Sequence, residues 1–122
     1  MIVFSNHRLG PAVELLVSAG VAEDMLRATA AAARLAADAR WEQELVSWLE
    51  ACAGRCRTLD VADIAWTPDN FERQRQFVLA AITAAATGSA HERALGRWAR
   101  MIEAHPRDCV QFGRRWLQPI TA

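Results

Sequence analysis

The stretch from Val21 to Ala53 contains neither glycine nor proline, and this is the feature that most constrains the fold. Its apolar residues form two stripes at helical spacing: Val21, Met25, Ala28, Ala32, Leu35 and Ala39 in the first, and Trp41, Leu45, Trp48, Leu49 and Cys52 in the second. At about 100° per residue the second stripe lies nearly opposite the first. One straight helix could not bury both stripes against a single neighbour. The pattern therefore indicates either a break near Asp38, which is the favoured interpretation, or one helix packed on two sides.

Helical signals also dominate the start of the chain. Gly10-Pro11 is typical of a helix start, because proline suits the first helical position, and Gly20 is typical of its end. The apolar side of this first helix would comprise Val13, Leu16 and Val17. Only Ile2-Val3-Phe4 has the character of a short extended piece, and residues 58–65 predict a short helical turn.

The clearest helix start lies in the second half of the chain. Thr67 can cap a helix whose first position is Pro68. Trp66 and Phe71 have the spacing of a hydrophobic staple, in which two apolar side chains on either side of the cap pack together. We therefore expect a helix over residues 68–87.

A second capped helix follows at once. Gly88 ends the helix over 68–87, and Ser89-Ala90-His91-Glu92 has the pattern of a capping box. The tight turn predicts an antiparallel hairpin with a helix over residues 90–105. Pro106 would open one further helix.

Together these elements predict an all-α protein, a compact array of five to seven helices that includes the hairpin 68–87/90–105. The 122 residues match the usual size of one domain, so we expect a single helical domain over residues 1–122. A domain of this size buries roughly two thirds of the surface of its unfolded chain. Such a core needs neither disulfides nor metal.

The formal net charge is zero, but the charges are unevenly distributed. Residues 1–66 contain six arginines and nine acidic residues, whereas residues 67–122 contain eight arginines and five acidic residues. This balance argues against nucleic acid as a partner, since general nucleic-acid binding needs a strong basic excess. No apolar run approaches the roughly 18 residues of a membrane span, and the first residues lack a signal-peptide core. We therefore expect a cytoplasmic protein with reduced thiols that does not bind membranes.

The reactive side chains do not have the spacing of a catalytic or metal site. Cys52 and Cys56 are four residues apart, unlike a Cys-x-x-Cys motif, and Cys52 falls on an apolar stripe. His105, Asp108 and Cys109 are the residue types of a thiol nucleophile and its base, but Cys109 shares an apolar helix side with aromatic residues. We predict a protein that is not an enzyme and uses no cofactor or metal. An enzyme that uses His105 and Cys109 is kept as a third hypothesis, after the two binding functions given at the end of this subsection.

Arg75 is the most informative single residue, because it lies in the middle of an apolar helix face. That face comprises Phe71, Val78, Ile82 and Ala85. A buried guanidinium needs a carboxylate or several carbonyl groups. We expect its partners among acids of the first half, such as Asp60, Asp63 or Glu50. Arg75 is then either part of a structural ion pair or the floor of a polar pocket.

The segment from Trp66 to Phe77, followed by Leu95, Trp98, Met101 and Ile102, resembles a hairpin of small helical immunity proteins. These proteins are encoded beside bacterial polymorphic toxins, including contact-dependent growth inhibition systems. The resemblance covers about a third of the chain. It implies a cytoplasmic protein that binds one cognate toxin domain and blocks its active site. It assigns no binding residues, because these families share no fixed binding motif.

We therefore predict a non-catalytic immunity protein that neutralises a cognate toxin domain through complementary charge. A nuclease toxin would be bound by acidic residues of the first half, and an acidic toxin surface by an arginine stripe. The acidic set is Glu42, Glu44, Glu50, Asp60 and Asp63, and the stripe is Arg93, Arg97 and Arg100. The alternative is a small helical domain that binds an anionic small molecule at Arg75 or acts as a regulatory adaptor.

Overall fold

The computed structural model describes residues 2–6, 14–55, 58–64, 66–67 and 69–105. Their elements, in chain order, are strand β1 (Ile2–Ser5), strand β2 (Glu14–Val17), helix α1 (Ala19–Ala36), helix α2 (Arg40–Arg55), strand β3 (Thr58–Asp60), a 3₁₀ turn (Val61–Asp63), helix α3 (Phe71–Ala86) and helix α4 (Glu92–Glu103). The described residues thus combine four α-helices with three strands. The prediction of an all-α array of five to seven helices is wrong.

The three strands form one mixed sheet in the order β2-β1-β3. β1 runs antiparallel to β2 and parallel to β3. Phe4 on β1 lies opposite Leu15 on β2 and opposite Leu59 on β3, and all three side chains are buried. Because directly paired residues project from the same side of a sheet, these three define the side that faces the core.

The predicted first helix is also wrong, because its described part contains β2. Four residues make barely one helical turn, so Leu16 and Val17 fit a helical period as well as a strand. Pairing with β1 decides between the two, and a local pattern does not contain that contact. β3 was not predicted for the same reason. The helical turn predicted within residues 58–65 is present as the 3₁₀ turn Val61–Asp63.

The predicted break near Asp38 is confirmed, since α1 ends at Ala36 and α2 begins at Arg40. A carboxylate stabilises the new helix start. Glu42 Oε1 accepts hydrogen bonds from the backbone N–H groups of Asp38 and Ala39, at 2.9 and 2.7 Å. These contacts satisfy donors that a helix start leaves open, and they place negative charge at the positive end of the helix dipole.

Helix α1 contacts both α2 and α3, and α3 in turn contacts α4. Its buried face includes Ala22, Ala30 and Ala33, whose short side chains permit close approach of neighbouring backbones. Cys52, which belongs to the second apolar stripe, is buried on α2. Among the described residues no helix is both long and apolar enough to cross a membrane.

Helix α4 joins the helices to the sheet. Trp98 on α4 is 1 % exposed and packs on Phe4 of β1, with ring centroids 5.1 Å apart. The buried side chain of Asn6, just after β1, donates from Nδ2 to the carbonyl oxygen of Met101 at 3.0 Å. Residues at opposite ends of the described chain are therefore fixed to each other.

Helices α3 and α4 follow one another closely and pack together, but both begin later than their capping signals predict. α3 begins at Phe71, whose ring contacts Trp66 with centroids 5.0 Å apart, as the staple spacing predicts. The Ser89 hydroxyl accepts from the backbone N–H of His91 at 3.0 Å, so it stabilises the turn before α4. Gly88 has a φ of 72°, a left-handed conformation that favours glycine in this turn. The further helix predicted after Pro106 lies outside the described residues.

Candidate functional site

The acidic residues predicted on the first half do not form one free surface. On α2, Glu42 accepts from the two backbone N–H groups at the helix start. Glu44 forms an ion pair with Arg40 at 3.3 Å, and Glu50 forms one with Arg34 of α1. Each of these carboxylates already has a partner within the chain.

Asp60 and Asp63 lie at the end of β3 and in the 3₁₀ turn, where they stabilise the backbone. Asp60 accepts from the Ser5 hydroxyl of β1 and from the backbone N–H of Ala62, both at 2.9 Å. Asp63 accepts from the backbone N–H of Asp60, also at 2.9 Å, which completes a capping box. These two side chains therefore connect the sheet to the turn that follows it.

Arg75 is largely buried, with a side chain 19 % exposed, but its partners differ from those expected. Its Nη1 donates to the carbonyl oxygens of Glu103 and His105, both at 3.0 Å, and Nη2 forms an ion pair with Glu72. The guanidinium also lies 4.8 Å from the ring centroid of Phe71. Carbonyl groups at a helix C-terminus lack partners within the helix, so a cation is favourable there. Arg75 therefore connects α3 to the end of α4, and the expected pairing with acids of the first half is wrong.

His105, which the enzyme hypothesis requires, lies in the core. It is 1 % exposed and stacks against Trp66 and Phe71, with ring centroids 6.0 and 6.1 Å apart. Its hypothetical partners Asp108 and Cys109 lie outside the described residues. Among the residues that the structure describes, no three His, Cys, Asp or Glu side chains are grouped closely enough to hold a metal ion.

A groove of about 590 Å³ lies between α3 and α4, and we call it the α3–α4 groove. It is lined by Ile82, Thr83, Ala86, Thr87, Ala90, Glu92, Arg93, Gly96, Ala99 and Arg100. Most of the lining side chains are small, and the charged ones come from α4. A second depression of about 460 Å³ shares Thr83 and has Glu72, Arg75 and Glu103 in its lining.

Gly96 gives the groove part of its depth. It lies in the middle of α4, and a Cβ atom placed there would meet no heavy atom within 4 Å. Folding therefore does not require a glycine at this position for steric reasons. Glycine inside a helix costs about 0.5–1 kcal/mol relative to alanine. The missing side chain leaves open space on the groove side of α4.

Gly96→Ala is expected to raise the free energy of unfolding by about 0.5–1 kcal/mol, because it restricts the unfolded chain without creating a clash. Urea denaturation followed by circular dichroism measures the change. The matched control is Gly88→Ala, which is expected to destabilise the protein because of the φ of 72°. A loss of stability in Gly96→Ala would show that the space beside Gly96 is needed by the fold itself.

The arginine stripe is divided between two surfaces. Arg93 and Arg100 are exposed in the groove lining, and neither forms an ion pair with an acid of the described residues. Arg97 is not part of that lining, and its Nη2 donates to the carbonyl oxygen of Glu14 on β2 at 3.4 Å. The structure thus brings two of the three predicted arginines to one groove and places the third against the sheet.

Sequence reasoning missed the uncharged lining of this groove, including Thr83, Gly96 and Ala99. One signal was present in the sequence, since Gly96 interrupts the otherwise well-formed helix predicted over 90–105. An isolated glycine inside a helix, away from any turn, indicates that another backbone approaches the helix closely there or that the helix surface is left open for a partner.

Comparisons of the chain with protein-family models, with curated proteins and with solved structures found no match.

Proposed function

We propose that this chain is a non-catalytic immunity-type protein, which binds a cognate toxin domain by receiving an acidic part of it in the α3–α4 groove. The observation that carries the proposal is the pair Arg93 and Arg100, which line this groove without an ion pair to any described acid. Arginine presents several N–H donors in a planar fork that matches a carboxylate.

The internal contacts of the acidic set favour this surface over the first half of the chain. Glu44 and Glu50 are paired with arginines, and Asp60 and Asp63 accept bonds from the backbone. A basic partner would have to compete with these contacts. An acidic partner would meet two exposed arginines and one exposed glutamate, Glu92, in the groove lining, a net positive charge that would speed association.

Such a protein must bind its toxin tightly, but it needs no catalytic residues. While this protein covers an acidic cleft of the toxin domain, substrate cannot enter that cleft. The packed helices α3 and α4 present the groove on a scaffold that the Arg75 contacts help to fix, so little ordering would be required on binding.

The double variant Arg93→Glu/Arg100→Glu is expected to weaken toxin binding at least about 30-fold, because it places like charges opposite one another. The toxin would be identified by affinity purification from the native host, produced separately, and titrated calorimetrically with each variant. Co-expression with the toxin in a growth assay then tests protection. The wild type should protect, and the double variant should not.

The charge-matched control is Arg40→Glu/Arg73→Glu, which alters two exposed arginines outside the groove lining. It is expected to bind and protect as the wild type does. Equal binding by both double variants would contradict the proposed surface. A purified partner that binds tightly while retaining its full activity would contradict the inhibitory function.

A second candidate function is binding of an anionic small molecule in the same groove. Its volume of about 590 Å³ lies within the roughly 300–1,000 Å³ typical of ligand pockets. The anion would bind at Arg93 and Arg100, because the donors of Arg75 already contact carbonyl groups and Glu72. Saturable calorimetric binding of a nucleotide or a dicarboxylate, lost in Arg93→Glu/Arg100→Glu, would favour this candidate over the toxin inhibitor.

A further inference from the structure

Resting on the proposed function, we infer that the toxin element received in the α3–α4 groove is an amphipathic helix with two acidic residues seven positions apart. Three features of the groove support this: the spacing of its arginines, the small residues between them and the distribution of acids in the chain.

The spacing of Arg93 and Arg100 matches a helix better than a strand. Seven residues on α4 correspond to a separation of about 10.5 Å along the helix axis, at 1.5 Å per residue, and to nearly two full turns. A partner helix lying along α4 with acidic residues at positions i and i+7 repeats this separation on one face. Side chains on one face of a strand recur at about 6.6 and 13 Å, and neither distance matches the separation of about 10.5 Å between the two arginines.

The groove between the two arginines suits the apolar stripe of such a helix. Gly96 and Ala99 lie between Arg93 and Arg100 on α4, and a Cβ atom at Gly96 would find open space. Thr83 and Thr87 line the opposite side one helical turn apart. Apolar side chains at positions i+3 and i+4 of the partner would enter this space, as the ridge of one helix enters the groove of another.

The described helices of the chain do not carry the required acidic pair. Their acidic residues are Glu23 and Asp24 on α1, Glu42, Glu44 and Glu50 on α2, Glu72 on α3, and Glu92 and Glu103 on α4. No two acids on one of these helices are seven residues apart. A described helix from a second copy would therefore not match the arginines, which favours a helix of a different protein as the occupant.

The test uses the full chain, isotope-labelled for NMR, and two synthetic helical peptides of the same composition, each about 18 residues long and so several turns. One peptide carries its two glutamates seven positions apart, and the other carries them five apart, on different sides of the helix. The first is expected to bind about tenfold more tightly. Its chemical-shift changes should centre on the amides of Thr83, Gly96 and Ala99.

Two variants separate a specific fit from general charge attraction. Gly96→Leu fills the groove and is expected to weaken binding of the matched peptide about tenfold while helicity is retained. Arg93→Gln/Arg100→Gln is expected to remove the difference between the two peptides. Arg73→Gln, exposed on α3 outside the groove lining, is the control and should change neither affinity.

The inference is overturned if both peptides bind the wild type equally or not at all, if their shifts lie elsewhere, or if Gly96→Leu binds as the wild type does. It is also overturned if the purified toxin occupies the groove with a strand or loop, and the proposed function would survive that result. Conversely, binding of the matched peptide in the groove together with an uninhibited toxin would overturn the proposed function alone.

Discussion

Replacing Trp98 by alanine is expected to lower the free energy of unfolding by about 3–5 kcal/mol, which is the usual cost of truncating a large buried aromatic residue. The side chain is 1 % exposed and packs on Phe4, so its removal would leave a cavity where α4 meets the sheet. A domain of this size is stable by only about 5–15 kcal/mol. The variant should therefore have a much lower urea midpoint, measured by circular dichroism.

Trp98→Phe keeps the prediction testable if the alanine variant does not fold. Trp98 Nε1 is buried without an acceptor among the described residues, and phenylalanine removes that donor. We therefore expect a loss of only about 1 kcal/mol, since the smaller ring is partly offset by the removal of an unsatisfied polar group. Leu35→Ala, at a side chain 92 % exposed, should change stability by less than about 0.5 kcal/mol. A loss below about 1 kcal/mol in Trp98→Ala would contradict the close packing of Trp98 on Phe4.

Arg75→Leu is expected to destabilise the protein by about 2–3 kcal/mol, because two carbonyl groups at the end of α4 lose a charged donor. Leucine keeps an apolar side chain over Phe71 but supplies no hydrogen bond. Arg75→Lys should recover only part of the loss, since one ammonium group does not reproduce the planar fork. Chemical denaturation measures both variants.

Arg73→Ala is the control for this series, because Arg73 is exposed on the same helix and forms no ion pair with the described acids. Its stability should stay within about 0.5 kcal/mol of the wild type. If Arg75→Leu were as stable as Arg73→Ala, Arg75 would not connect α3 to α4.

Long periodic segments were predictable from the sequence, and short paired segments were not. α1 and α2 each extend over four or more turns, so helical spacing predicts both helices and the break between them. The first apolar stripe is wrong as a buried face, because Met25 is its only buried member and Leu35 is 92 % exposed. β1, β2 and β3 contain three or four residues each. Each strand is too short to show a clear period of its own, and its formation depends on pairing with another strand, which for β1 and β3 lies more than fifty residues away. This accounts for the wrong all-α prediction.

The candidate site was predictable in part for the same physical reason. Helical spacing places Arg93 and Arg100 near one another on α4, and that much follows from the sequence. Arg97 lies about 40–60° around the helix from them at 100° per residue, and it contacts the carbonyl group of Glu14 on β2, a contact that helical spacing does not predict. The partners of Arg75 depend on where α4 ends relative to α3, so acids of the first half were the wrong expectation.

The position of β1 in the middle of the sheet has a consequence for synthesis on the ribosome. β1 pairs with β3 more than fifty residues away, and Asn6 just after it bonds to Met101. β1 can pair with β2 early in translation, but its contacts with β3 and the Asn6–Met101 bond form only after those later residues have left the exit tunnel. Contacts over such separations form slowly. Helices α1 and α2 can associate while translation continues. β3 can complete the sheet once residue 60 has emerged, whereas the junction with α4 forms only after residue 101.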